Sequence, residues 1–214
     1  MKAKYILTPV VVLTLAVCSA FTVMHEEIHA AMQKSMQKMK SMKMTGNADH
    51  DFAMMMAEHH QGSIDAAQIV LKSGKDGKIK SMARSLVDKQ TAEQKQLRSH
   101  KGTSEDHSAH ARNENAASNS GSGTSDAHAS NFSSEMTQSM EEMESSMKNM
   151  KMTNNVDHDF AMMMIPHHQS AIDMSDAIIK HGKDQEVKTL AEKIKSDSEK
   201  EIGELKKWLS SHGK

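Results

Sequence analysis

Between Ser133 and Lys151 the chain contains no Leu, Ile, Val, Phe, Tyr or Trp, yet Met136, Met140, Met143, Met147 and Met150 recur at intervals of four, three, four and three. That spacing is the seam of a helical bundle or coiled coil. Leu and Ile specify a seam better than flexible methionine does, so the sulfur needs a chemical reason. The thioether is a soft donor suited to Cu(I) and ions like it. It needs no deprotonation before binding, so its ligation tolerates acid. Unlike a thiol, it is not lost to a disulfide in an oxidising compartment.

A second set of donors lies downstream of each methionine-rich stretch. Asp51, Met55 and His59 are spaced i, i+4, i+8, and Phe52, Met56 and His60 form the adjoining line; Asp159, Met163 and His167 beside Phe160, Met164 and His168 repeat the pattern. On a helix each trio stacks along one face. A thioether and an imidazole one turn apart can close on one ion. Further sulfur would come from Met36, Met39, Met42 and Met44, and from Met143, Met147, Met150 and Met152, on a facing helix. Such donors suit Cu(I) or Ag(I), and imidazole with Asp accepts Cu(II). A lone methionine stripe is ordinarily core packing. Here the Met-only seam, the triple Met beside paired His, and the repetition of both at one register favour metal. Asp49, Asp51, Asp157 and Asp159 read instead as charges complementing a helix N-terminus.

The elements that must position these donors come in duplicate. Met39–Asp65 matches Met147–Asp173 at a constant offset of 108, with 20 of 27 positions identical. Each copy reads as three helices. The first, about 26–44 and 134–152, carries the methionines. The second follows the turn and N-cap signals at Thr45–Asp49 and Thr153–Asp157 and stops at Gly74 and Gly182, which read as C-cap glycines. The third spans Asp76–His100 and Asp184–Ser211. No segment alternates like a strand, so the expected class is all-α: a Met-rich antiparallel bundle built from a tandem repeat. The expected organisation is a leader at 1–20, helical repeats at 25–100 and 132–212, and a disordered polar linker at 101–131. A three-helix unit of this size has a thin core. Pairing of the two repeats, or of two protomers, would complete four-helix bundles.

Lys2 and Lys4, the apolar stretch Tyr5–Val17 and Cys18-Ser19-Ala20 have the form of a secretory signal peptide. Cleavage after Ala20 removes the single cysteine, leaving a mature chain with no membrane insertion; a lipid anchor at Cys18 is the less favoured alternative. The near balance of 27 basic and 28 acidic residues leaves no footprint for a nucleic-acid partner, and 3% aromatics leave no base-stacking platform. A di-iron bundle would need repeated Glu-x-x-His pairs, and only Glu26-x-x-His29 fits. With no nucleophilic triad or phosphate loop either, the sequence does not read as an enzyme.

The run Asp-His-Asp-Phe-Ala-Met-Met-Met-Ile-Pro-His-His-Gln at 157–169 resembles the helical-bundle family catalogued as domain of unknown function 305, and the chain carries two copies of it. That family includes exported copper-binding proteins. The resemblance implies a ferritin-like bundle in the periplasm with copper or silver held by Met and His. Its histidine pair falls at His59/His60 and His167/His168, its preceding methionine at Met56 and Met164. The first copy has Ala57-Glu58 where the second has the family-like Ile165-Pro166, and Pro166 is expected to kink its helix. The function expected is buffering or sequestration of Cu(I), with Ag(I) and Cu(II) as further ions and a copper exporter as the class of protein partner. The alternative is a Met-rich structural or interaction module without metal.

Overall fold

The computed structural model describes residues 10–100, 123–153 and 155–212, with side chains from residue 26 in the first stretch and from 130 in the second. Six helices follow in order: α1 (Val10–Ser41), α2 (Ala48–Ser73), α3 (Gly77–Ser99), α4 (Gly123–Lys148), α5 (Val156–His181) and α6 (Gln185–His212). No strand occurs among the described residues. The expected leader, 1–20, falls on residues whose side chains lie outside the described set, as does 101–122 of the expected linker. The end of that linker is helical, because α4 starts at Gly123 rather than near Ser134. Its seam begins only at Phe132, and once a seam fixes a helix, further turns of Ser, Ala and Asn add at little cost.

Local chemistry sets the helix ends. Asn47 Oδ1 accepts the Asp49 and His50 amides (3.1 and 3.2 Å), and Asn155 does the same for Asp157 and His158. Asp76 caps α3 through the Lys78 and Ile79 amides, both at 2.9 Å. Asp51 does more than face a helix dipole. Its carboxylate accepts from Thr45 N, Thr45 Oγ1 and Gly46 N, and Asp159 likewise holds Thr153. These clamps draw the chain out of helical form after Ser41 and Lys148. Met42, Met44, Met150 and Met152 therefore sit in the connections, not on the facing helices where the sequence suggested them. α5 runs as one helix through Pro166.

The helices stack in three layers of two, with α1 and α4 on one side, α2 and α5 in the middle, and α3 and α6 on the other. The middle helices are buried on most faces, whereas α3 and α6 bury one stripe each, Ile79, Ala83, Leu86, Gln90, Glu93, Leu97 in α3 and the Val187–Trp208 series in α6. The two units thus pack against each other through α2 and α5. Those helices are antiparallel. Asp49 at the start of α2 accepts the Lys183 amide beyond α5 (3.0 Å), and Asp157 at the start of α5 accepts the Lys75 and Asp76 amides beyond α2 (2.8 and 3.0 Å).

These reciprocal clamps explain Gly74 and Gly182. Both sit at helix C-caps, as the sequence suggests, but with φ of −66° and −70° rather than in the left-handed region. The reason for glycine is space. A Cβ on Gly74 would lie against Asp157 Oδ1 and 2.7 Å from the Val70 carbonyl, and one on Gly182 would lie 2.6 Å from Asp49 Oδ1 and 2.7 Å from the Ile178 carbonyl. Backbone must move to admit either. We expect Gly74→Ala or Gly182→Ala to cost about 1–3 kcal/mol, read from urea unfolding midpoints, with an unchanged midpoint refuting the steric account.

The outer layer meets the middle one by a different register from that of the sequence match. Gly62 lets Ser35 approach so closely that a Cβ there would lie 2.8 Å from Ser35 Cβ. The equivalent Ser170 is met by Ser139, through hydroxyls 2.8 Å apart. Ser35 and Ser139 are 104 residues apart, not 108, so α4 carries one extra helical turn before its connection.

Candidate metal centre

At the crossing of α2 and α5 the rings of His59 and His167 stack, centroids 3.8 Å apart and planes 33° from parallel. Exposure is 0% for His59 and 2% for His167. His167 Nε2–H donates to the His59 carbonyl at 3.2 Å. Both ring nitrogens of His59 and Nδ1 of His167 lack hydrogen-bond partners. Burial drives both pKa values well below the ordinary histidine range, the charges of neighbouring histidines adding to it and the facing backbone opposing it weakly. The pair is neutral at pH 7.

The adjacent histidines turn the other way and are held. His60 Nε2 lies 3.0 Å from Glu93 Oε2, and His168 Nε2 3.0 Å from Glu201 Oε2. Each carboxylate also takes a lysine from the opposite unit: Lys193 reaches Glu93 at 2.6 Å and Lys89 reaches Glu201 at 2.9 Å. Burial pushes the Glu201 carboxyl up, but bonding and charge from His168 and Lys89 outweigh it and bring the pKa down to about 2. The same contest, with His60 and Lys193, leaves Glu93 lowered. Desolvation lowers Lys89 and Lys193, but their carboxylate partners prevail and both are raised. Nε2 of each of these histidines donates to its carboxylate, and Nδ1 of both is buried without a partner.

Sulfur gathers elsewhere. Where α1 turns into α2, a cavity of about 170 Å³ is lined by Met42, Met44, Met54, Met55, His50, Asp51 and Lys43. Asp51 is fully engaged with Thr45 and Gly46, whereas His50 Nδ1 is buried and unpartnered. Four thioethers and one imidazole without a hydrogen-bond partner form a soft donor set. The equivalent connection of the second unit carries Met150, Met152, Met162, Met163 and His158, whose Nδ1 is likewise unpartnered.

The expected donors are therefore dispersed. Met42, Met44 and Met55 share the corner cavity, while Met36, Met39, Met56, Met143, Met147 and Met163 belong to the close-packed core. Met150 and Met152 pack half-buried against it. Met164 and His168 line a separate cavity between the units. Among the described residues no three of His, Cys, Asp and Glu converge as a metal-holding group. Sequence reasoning missed His50, Met54, Glu93 and Glu201. The first had a signal, since His50 and His158 recur within the duplicated Asp-His-Asp; the glutamates also recur 108 apart, but within solvated-looking Lys- and Glu-rich helices.

The chain matches the family model described as "Domain of unknown function (DUF305)" over residues 17–101 and 49–209. No curated protein matches it. Among solved structures it is similar to CopM in the Ag-bound form (TM-score 0.50, 23% identity, covering 76% of this chain and 96% of that one). It is also similar to a DUF305 protein from Streptomyces coelicolor (TM-score 0.55, 17% identity, 79% and 96%) and to a DUF305 fragment from Deinococcus radiodurans (TM-score 0.50, 18% identity, 77% and 96%). At these identities the likeness is one of fold, and the family model spans most of the chain: this protein belongs to the DUF305 family.

Proposed function

We propose that this protein binds Cu(I), and Ag(I) as an ion of similar softness, buffering or sequestering it in the periplasm in support of metal tolerance. The observation that carries the reading is the corner cavity, which Met42, Met44, Met54 and Met55 line together with His50. A packing role alone would have favoured aliphatic side chains with no space between them. Thioethers select soft monovalent ions, while Cu(II) would call for several imidazole and carboxylate groups around one ion, and no three such groups converge among the described residues. That the neighbouring CopM structure holds silver supports the reading. Export is supported by the leader-like first twenty residues and by a Streptomyces coelicolor neighbour named as secreted. No described helix is long and apolar enough to cross a membrane. The role proposed is binding, not catalysis.

The test replaces Met42, Met44, Met54 and Met55 by Leu. Such volume-conserving changes cost under about 1.5 kcal/mol each, so helicity should persist. Competition against a chromophoric Cu(I) chelator should show loss of a tight site, and X-ray absorption of the loaded protein should show reduced sulfur scattering. Unchanged stoichiometry and sulfur scattering would leave the methionines as packing only. A partner captured equally well by metal-free protein would favour the interaction module instead.

A further inference from the structure

Two contacts between the units join a residue to its own counterpart 108 positions on. One is the stack of His59 on His167, and the other is the ion pair of Lys89 with Asp197 at 3.5 Å. The reciprocal clamps obey the same exchange: shifted by that offset, Asp49 reaching Lys183 becomes Asp157 reaching Lys75. The units are therefore related by an approximate two-fold axis that passes between the two histidines and between Lys89 and Asp197. A residue on such an axis meets its own copy whenever two identical units pair. At 59 and 167 the residue types agree, so the axis carries no information there. At 89 and 197 the charges are opposite.

We propose that Lys89 and Asp197 are the specificity residues of a pairing surface, formed by α2–α3 and α5–α6, that accepts the complementary unit and rejects a like one. The partner of a first unit is a second unit, from the same chain or from a second copy of it. This is independent of the soft-metal reading. The neighbouring charges sharpen the preference. Lys89 also reaches Glu201 at 2.9 Å, while Lys193 reaches Glu93 at 2.6 Å and Asp197 at 2.9 Å. The two glutamates are counterparts, but the two lysines are not, because the position matching Lys193 is Ser85. The junction thus alternates Glu201, Lys89, Asp197, Lys193 and Glu93 across the axis. Two second units would instead crowd Asp197 and Glu201 of each around the Lys193 ammoniums alone. Two first units would set Lys89 against Lys89. Both axis side chains are about one-third exposed, so water screens a like-charge contact only in part. Such contacts are how interfaces exclude wrong partners.

A second copy of the chain can reach this surface. Residues 100–122 join α3 to α4, and a segment of that length reaches at most about 80 Å, twice the roughly 39 Å of a bundle helix. Two chains can therefore exchange units, and the axis charges decide which units meet.

The experiment uses two full-chain variants, Lys89→Asp and Asp197→Lys, each of which sets like charges on its own axis. Exchange of units between them repairs both junctions, one as in the wild type and the other with the two charges reversed. Each variant, their equal mixture and the wild type are refolded from urea at one concentration and weighed by native mass spectrometry. The substitutions shift the mass in opposite directions, so the mixed dimer is told apart from the two like dimers. It should exceed either like dimer by about ten-fold, against about two-fold for random exchange. The excess should shrink in 1 M salt, where charges are screened beyond about 3 Å. The double variant Lys89→Asp/Asp197→Lys should stay monomeric and recover most of the unfolding midpoint that either single variant loses. A single variant too weak to fold alone leaves the test intact, since the mixed dimer has no like-charge junction. Mixed dimers no more abundant than random exchange gives, or an excess indifferent to salt, would overturn the pairing role and leave Lys89 and Asp197 an ordinary ion pair.

Discussion

Lowering the pH of the metal-free protein from 6.5 to 5 should reduce its unfolding free energy by about 3 kcal/mol, a large share of the roughly 5–15 kcal/mol that holds a domain together. The cause is the stacked pair His59 and His167. Both are fully buried and both have pKa values driven well below the ordinary 6.5, first by desolvation. In the unfolded chain each takes a proton near pH 6.5; in the folded protein neither does until much lower. The unfolded state thus binds about one more proton at pH 6.5 and nearly two more by pH 5. Each is worth about 1.4 kcal/mol per pH unit, and the stability is complete above pH 6.5 and lost as pH falls below it. The acidic partners of the neighbouring histidines do not blur the slope, because Glu201 titrates at about 2 and Glu93 is also lowered, so both stay ionised. Urea unfolding at several pH values between 7.5 and 5 measures the slope. His167→Gln removes one of the two protons, and its slope should fall by half. A stability flat from pH 7 to 5 would mean that these rings find water or a partner in solution.

The helices and their order were legible because each carries its own signal. The Asn47 and Asn155 caps, the Gly74 and Gly182 stops, and the three-four spacing of Ile79, Met82 and Leu86 are local and need no knowledge of the other unit. The ends of the methionine helices were not, because what ends them is Asp51 and Asp159 reaching back six residues to Thr45 and Thr153. The choice of donors was legible as a type and not as a place. Thioethers and imidazoles at i and i+3 or i+4 on one helix suggested that neighbours on that helix close on a shared ion. Folding instead puts His59 against its own duplicate across the α2–α5 crossing, ties His60 to Glu93, and gathers Met42, Met44, Met54 and Met55 at a corner. A duplicated sequence shows which residues recur, but not which face of each copy meets the other. Nor could the ungapped match show that α1 and α4 pack in a register shifted by one turn, since methionines recur so often that a four-residue slip still places sulfur on the seam.

Glu201→Ala should destabilise the folded protein by about 3–5 kcal/mol, the usual cost of removing one partner from a buried charged pair. The carboxylate is 17% exposed at its side chain and holds His168, 1% exposed, and Lys89 of the opposite unit. Its loss strands the Nε2–H of a buried ring and an ammonium whose pKa it had raised. An independent route gives a similar size. A carboxyl with an ordinary pKa of 4.5, lowered to about 2 on folding, contributes about 3 kcal/mol. That contribution is present above pH 4.5 and vanishes as pH falls from 4.5 toward 2, so at pH 7 the wild-type protein has all of it and the alanine variant none. Lys89→Met separates the two partners. It removes an ammonium that is one-third exposed and leaves the His168–Glu201 bond in place, so it should cost less than about 1 kcal/mol. Glu201→Gln keeps an acceptor for His168 Nε2–H while discarding the charge, and should fall between the two. Urea midpoints at pH 7 for the three variants therefore order the forces at the junction. If alanine and methionine cost the same, the lysine strap, not the imidazole, is what Glu201 chiefly serves.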